Sequence, residues 1–154
     1  MANLRDLYQE VIMDHNRNPR NMGAIDYASH TGEGFNPLCG DQIDLYLYVN
    51  DDSVIEKICF EGKGCAISTA SASIMTEVLA GRTVDEAKEY FQVFCESVTG
   101  KHKDGNEALD LGKLEVLSGV KAFPARVKCA TLAWHTLTSA MNNSKEETNT
   151  EILD

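Results

Sequence analysis

The sequence is short of positive charge. Its 154 residues carry 14 Lys and Arg against 24 Asp and Glu, a formal net charge of −10. No cluster of basic side chains is present to line a phosphate backbone, which argues against nucleic acid and leaves room for a basic protein partner. Long apolar runs are missing too. No stretch approaches the ~20 residues of a membrane span. The N-terminal MANLRDLYQEVIMDHNRNPR has no apolar core of the kind a secretory signal needs. The expected compartment is the cytoplasm, where thiols stay reduced. No CxxC pair occurs either. The five cysteines, Cys39, Cys59, Cys65, Cys95 and Cys129, are odd in number and widely spaced. In a reducing compartment they read as metal ligands, reactive thiols or core, and not as disulfides.

With 43% hydrophobic and 25% charged residues, the chain has the composition of one soluble domain able to bury a core. Leu4, Leu7, Val11 and Ile12 have helical spacing, and NRNPRNMG ends that helix at Pro19. Residues 20–38 read as a loop with room for a short strand at GEGF. QIDLYLYVN alternates, with Ile43, Leu45, Leu47 and Val49 on one face, and VIEKICFEG follows the turn NDDS, so the pair reads as an antiparallel hairpin. AISTASASIMTEVLAG reads as a helix with Ile67, Ser71, Ile74 and Val78 on one side and Gly81 past its end. TVDEAKEYFQVFCESV has a Thr cap and an acidic first turn. TGKHKDGN is a polar loop, and EALDLGKLEVLSGV a glycine-interrupted helical piece. FPARVKCATLAWHTLTSAMNN is a last helix opening at Pro124, with Trp134 as a core aromatic. The expected fold is α+β: one domain over residues 1–141, with helices against a small antiparallel sheet, and a polar, frayed tail over 142–154.

On this map three cysteines fall at element ends. Cys39 lies on the turn NPLCGDQ before the first long strand. Cys65 lies where EGKG gives way to a helix, and Cys129 early in the last helix. Helix N-termini favour a thiolate at Cys65 and Cys129. With Asp41, the set offers three sulfurs and one oxygen, enough for tetrahedral Zn²⁺ or for the terminal ligands of a small iron–sulfur cluster. Spacing alone leaves scattered core cysteines as an equal reading. Gly40, Gly62 and Gly64 add weight to a ligand site, since they let backbone approach closely. Cys59, inside a strand, and Cys95, on a helix, read as core. His15, His30, His102 and His135 read as solvated, and His135 is off the Cys129 face.

NPLCGDQIDLYL, FEGKGCAISTASASIMTEVLAG and FPARVKCATLAW, together with LYQEVIMDHNRNPRN, resemble the IscU/SufU family of iron–sulfur cluster assembly proteins over residues 4 to about 140. Three features point to the SufU branch. Lys128 precedes the third cysteine where IscU-type proteins carry histidine. FPARVK stands in place of LPPVK. CESVTGKHKDGNEALD looks like an insertion. The resemblance implies a SufE/IscU-like fold and a zinc-dependent sulfurtransferase that takes persulfide sulfur from a SufS-type cysteine desulfurase, with a SufBCD-type scaffold downstream. It implies Cys39, Asp41, Cys65 and Cys129 as metal ligands, and Arg126 as a supporting residue. The implied mechanism has a histidine of the desulfurase replace one ligand. Cys39, on the most mobile turn, is then the sulfur acceptor. The alternatives are a scaffold for a [2Fe–2S] cluster, or iron, on the same ligands, and a structural zinc module for binding partners.

Overall fold

The computed structural model describes residues 4–99, 112–142 and 148–150. Helix α1 (Leu4–Arg17) is followed by strands β1 (His30–Asn36), β2 (Asp41–Val49) and β3 (Ile55–Lys63). Helices α2 (Ala66–Leu79) and α3 (Val84–Thr99), a 3-10 segment (Gly112–Ala122), α4 (Pro124–Met141) and a two-residue strand β4 (Thr148–Asn149) complete the fold. Strands β1, β2 and β3 pair antiparallel in sequence order, and β4 adds in parallel to the free edge of β1. This is the small antiparallel sheet with helices against it that the sequence leads one to expect.

Alternation in β2 works as read. Ile43, Leu45 and Leu47 are buried and their neighbours are not, so one face of the sheet meets the helices. Across it lies α4, which also packs on α2. Helix α2 is buried nearly all round, including Ser68, Ala70, Ser71, Ala72 and Ser73, and so on a wider face than a single apolar stripe. Its small side chains make this packing between α1 and α4 feasible. Trp134 is fully buried and stacks on Phe94, with ring centroids 4.9 Å apart.

The stretch expected to be a loop with a short strand at GEGF holds a full seven-residue strand, β1. Its glycines have weak strand preference, so pairing with β2 supplies what local propensity does not. The predicted helical piece EALDLGKLEVLSGV becomes the 3-10 segment from Gly112 onward. Its first five residues, and the loop TGKHKDGN beyond Thr99, lie outside the described residues. Within the tail expected to fray, residues 148–150 sit on the sheet edge, and Thr150 is buried. Among the described residues no helix is long and apolar enough to cross a membrane.

Candidate metal centre

The β1–β2 hairpin builds half of the site. Asn36 and Asp41 are its last register pair, and both side chains are fully buried. Between them runs Pro37-Leu38-Cys39-Gly40, with Gly40 at φ +72°, a left-handed conformation that glycine adopts without strain. The turn lifts Cys39 into solvent while Asp41, two residues on, points inward. The β3–α2 junction builds the other half. Gly64 lies so close to Asp41 that a Cβ there would sit 2.5 Å from Oδ1. The next residue, Cys65, is the N-cap of α2, and its sulfur accepts the Ser68 N–H at 3.4 Å. Cys129 comes down from the second turn of α4, 2% exposed.

These groups converge at one end of the sheet. Cys39 Sγ and Cys129 Sγ are 3.3 Å apart, and the ligand atoms of Cys39, Asp41 and Cys129 all lie within 4.8 Å of one another. Cys65 Sγ stands 3.9 Å from Asp41 Oδ2. In a tetrahedral zinc site with bonds of 2.0–2.3 Å, donors stand ~3.5–3.8 Å apart. The Cys39–Cys129 and Cys65–Asp41 spacings are close to that, and soft sulfur plus one carboxylate oxygen is a donor set zinc accepts, so Cys39, Asp41 and Cys129 fit a zinc ion; Cys65 stands beside Asp41 but outside the group whose ligand atoms all lie within 4.8 Å of one another.

Asn36, which the sequence reading missed, organises the set. Its Nδ2 donates to Asp41 Oδ2 at 2.9 Å and to Cys129 Sγ at 3.4 Å, while its Oδ1 accepts from Thr150 Oγ1 at 2.9 Å. The backbone N–H of Cys65 donates to the other oxygen, Asp41 Oδ1, at 2.8 Å. Asp41 is thereby held in one rotamer by two donors, one on β1 and one at the N-cap of α2. The only local signal for Asn36 was its place ahead of Pro37. Its contact to Thr150 spans the chain, and no periodicity reveals it.

The thiols differ electrostatically. Cys65 is shifted towards thiolate, first by the hydrogen bond it receives from Cys129 and then by Ser68 N–H at the helix cap. Cys129 is shifted the other way, first by that same hydrogen bond and then by burial. The expectation that both helix-borne thiols are favoured as thiolates therefore holds for Cys65 and fails for Cys129. The reason is position. Cys129 sits a turn inside α4, buried against the Cys65 and Cys39 sulfurs, and does not cap the helix as Cys65 does.

Arg126 is exposed, with its guanidinium over the Phe123 ring at 4.9 Å. It lies three positions before Cys129, on the same side of α4. Lys128 is half-buried. The histidines stay outside the cluster. His15, expected to be solvated, is fully buried, with Nδ1 2.7 Å from Ser73 Oγ, because α1 packs on the small-residue face of α2. His30 contacts Ser29. His135 is half-buried, set edge-on to Phe91, and burial lowers its pKa. His102 lies outside the described residues.

Cys59 is buried opposite Tyr46 on the outer sheet face, and Cys95 is half-buried in α3. Burial raises the thiol pKa of both, that of Cys95 to about 12. A raised thiol pKa means that Cys95 favours the fold up to its unfolded value near 9. That contribution is lost as pH climbs through 12. At pH 8 iodoacetamide should label Cys39 readily and Cys95 only after denaturation, as peptide mapping will show. Alanine at Cys59 or Cys95 should leave metal content unchanged.

The thiol-rich site lies at the hairpin end of a small α+β fold, and the comparisons name the family that shares this fold. The family model for the NifU-like N-terminal domain matches residues 7–130. The chain is 44% identical over 146 residues to the zinc-dependent sulfurtransferase SufU of Bacillus subtilis, covering 95% of each chain. It is 40% identical over 144 residues to the iron–sulfur cluster assembly scaffold protein IscU of Streptococcus pyogenes, covering 94% of this chain and 88% of that one. Among solved structures, a putative iron–sulfur cluster assembly scaffold protein for the SUF system from Fervidobacterium islandicum superposes with a TM-score of 0.79 at 39% identity, covering 88% of this chain and 96% of that one. The chain belongs to the NifU-like N-terminal domain family, and within it to the IscU/SufU proteins of iron–sulfur cluster assembly.

Proposed function

We propose that this protein is a zinc-dependent sulfur acceptor. It would take persulfide sulfur from a SufS-type cysteine desulfurase onto Cys39 and pass it towards iron–sulfur cluster assembly, with a SufBCD-type scaffold as the next station. The observation that carries this reading is the asymmetry of the site. Cys39 is exposed on a glycine turn, while Asp41 and Cys129 are buried and Cys65 is half-buried. The name of the Bacillus subtilis relative supports the same reading.

The residues proposed to hold zinc are Cys39, Asp41, Cys65 and Cys129, within a metal-binding unit over residues 1–141. Zinc, when bound, supplies a redox-inert positive charge that keeps thiols deprotonated yet nucleophilic. The chain's own groups do the rest. Three thiolates and a carboxylate carry four negative charges, and the N–H groups of Cys65, Ser68 and Asn36 point at them. Docking on the exposed Leu38 and Phe123, 58% and 52% accessible, would bring the desulfurase to the turn. The freed Cys39 thiolate then attacks the outer sulfur of the partner's persulfide. The partner's S–S bond breaks, its cysteine leaves as thiolate, and Cys39 carries the sulfane sulfur. Arg126, on the Cys129 side of α4, would counter negative charge there.

A second reading, a scaffold for a [2Fe–2S] cluster, uses the same ligands and is favoured by the IscU relatives. A closed structural zinc site is disfavoured by the exposed Cys39 and the single oxygen ligand. Elemental analysis and the visible spectrum of anaerobically purified protein decide among them. Zinc without visible absorbance, together with stimulated desulfurase turnover, is expected. Iron and sulfide with thiolate-to-iron bands would replace this reading by the scaffold.

Asn36 gives a finer test. Asn36→Ala removes the donor that orients Asp41 and touches Cys129, so zinc affinity should fall by ~10–100-fold. Thr150→Val, one contact further out, should act in the same direction and less. Competition with a chromophoric chelator measures both.

A further inference from the structure

We propose that Thr150 is a positioning residue of the metal centre, and that residues 148–150 form a releasable strap whose lifting loosens that centre. The inference rests on the proposed zinc site and adds its regulation. The strap belongs to a stretch whose composition reads as a frayed tail, yet it ends beside the ligands. Strand β4 pairs in parallel with β1, Thr148 opposite Gly34 and Asn149 opposite Phe35. The next residue of each strand then meets the other. Thr150 is buried, and its hydroxyl donates to Asn36 Oδ1 at 2.9 Å.

The chemistry of the Asn36 amide shows what that contact does. An amide has a donor end and an acceptor end. Towards the centre, Asn36 presents Nδ2 to Asp41 Oδ2 and to Cys129 Sγ. Turned over, it would set a carbonyl oxygen against a carboxylate and a sulfur. The Thr150 hydroxyl places a donor on the far side, and so favours the orientation that offers N–H to the ligands. A buried polar chain of this kind stiffens a site only while every member is in place. Thr150 thus acts on the ligands through Asn36.

The strap is also easy to release. It is two paired residues long, against the seven of β1. Short elements with few backbone bonds open at a small fraction of the global unfolding free energy. Lifting the strap frees the Oδ1 end of Asn36 and leaves the β1–β2 hairpin paired. Asp41 keeps the bond from Cys65 N–H and loses its fixed partner at Oδ2. With the strap docked, the ligands are gripped. With it lifted, ligand exchange, the step that sulfur acceptance needs, becomes easier.

The test compares the full-length chain with a chain ending at residue 147, with Thr150→Val and with Thr150→Ser, each with and without Asn36→Ala. Transfer of zinc to a chromophoric chelator is timed. Without the strap, release should be ~10-fold faster, the low end of what losing a partner hydrogen-bonded to a ligand costs in affinity. Thr150→Val should move in the same direction. Thr150→Ser, which keeps the hydroxyl, should restore slow release. In the Asn36→Ala background, removing the strap should add nothing, because the path runs through Asn36. If the shortened chain does not fold, Thr150→Val decides. Release at the wild-type rate without the Thr150 hydroxyl, or equal acceleration with and without Asn36, would overturn the proposal. A second readout needs no metal. In chelated protein, iodoacetamide should alkylate the buried Cys129 several-fold faster in the shortened chain and in Thr150→Val. A wild-type chain that binds no zinc would refute the metal site, and the alkylation rates would then decide on the strap alone, equal rates overturning it.

Discussion

Serine at position 65 or 129 is expected to strip the metal and lower the unfolding midpoint by about 8–16 °C. The size follows from linkage. A metal held at a thousand times its dissociation constant contributes ~4 kcal/mol, and each kcal/mol moves the midpoint of a chain this long by ~2–4 °C. The two variants separate the metal from the fold. At position 65 the side chain also caps α2, and serine is among the best N-cap residues. Cys65→Ser thus preserves the cap and removes only the sulfur ligand. At position 129 the replacement is in the core, 2% exposed, and the new hydroxyl can still accept from Asn36 Nδ2. Its cost is therefore mostly the lost ligand as well. Thermal unfolding with and without a chelator checks this. Chelated wild-type protein should unfold where Cys65→Ser does, and the chelator should leave both variants unmoved. Full zinc retention in both variants would remove Cys65 and Cys129 from the ligand set.

What could be read from the sequence follows the range of the forces involved. Strand β2 and helices α2, α3 and α4 announce themselves through local periodicity and turn residues, and the hairpin of β2 with β3 follows from adjacency. Strand β1 does not, because HTGEGFN is held by its partner and not by its own preference. Cys39, Asp41 and Cys65 stand out through glycines that permit close backbone approach, and Gly64 does meet Asp41 as that reasoning requires. Their union with Cys129 was not available from spacing; the placement of all three cysteines at element ends suggested it, and the resemblance to a family implied it. Asn36, Thr150 and the buried His15 escaped for one reason. Each is defined by a partner 58 or more positions away. Such contacts are products of tertiary packing and leave no local trace.

Cys39→Ser and Asp41→Ala should fail in opposite ways, although the two residues are neighbours on one turn. Cys39 is exposed, and its backbone lies in a turn that Gly40 makes without strain. Replacing its sulfur by oxygen should leave the fold and the binding of the desulfurase largely intact, since docking uses surface around the turn. Transfer needs the sulfur atom itself, so stimulation of desulfurase turnover should disappear. Asp41 is fully buried and accepts from Cys65 N and Asn36 Nδ2. Alanine leaves both donors without an acceptor, at ~1–3 kcal/mol each, and removes the one oxygen ligand. Zinc should bind more weakly, the midpoint should fall, and activity should decline in step with metal occupancy while Cys39 remains competent. Added zinc should restore part of the activity of Asp41→Ala and none of that of Cys39→Ser. Desulfurase turnover, thermal unfolding and mass spectrometry of the persulfide-bearing peptide measure each arm. A persulfide found on Cys65 or Cys129 of the wild-type chain, with Cys39→Ser still active, would reduce the NPLCGDQ turn to a ligand loop and move the acceptor to a buried thiol.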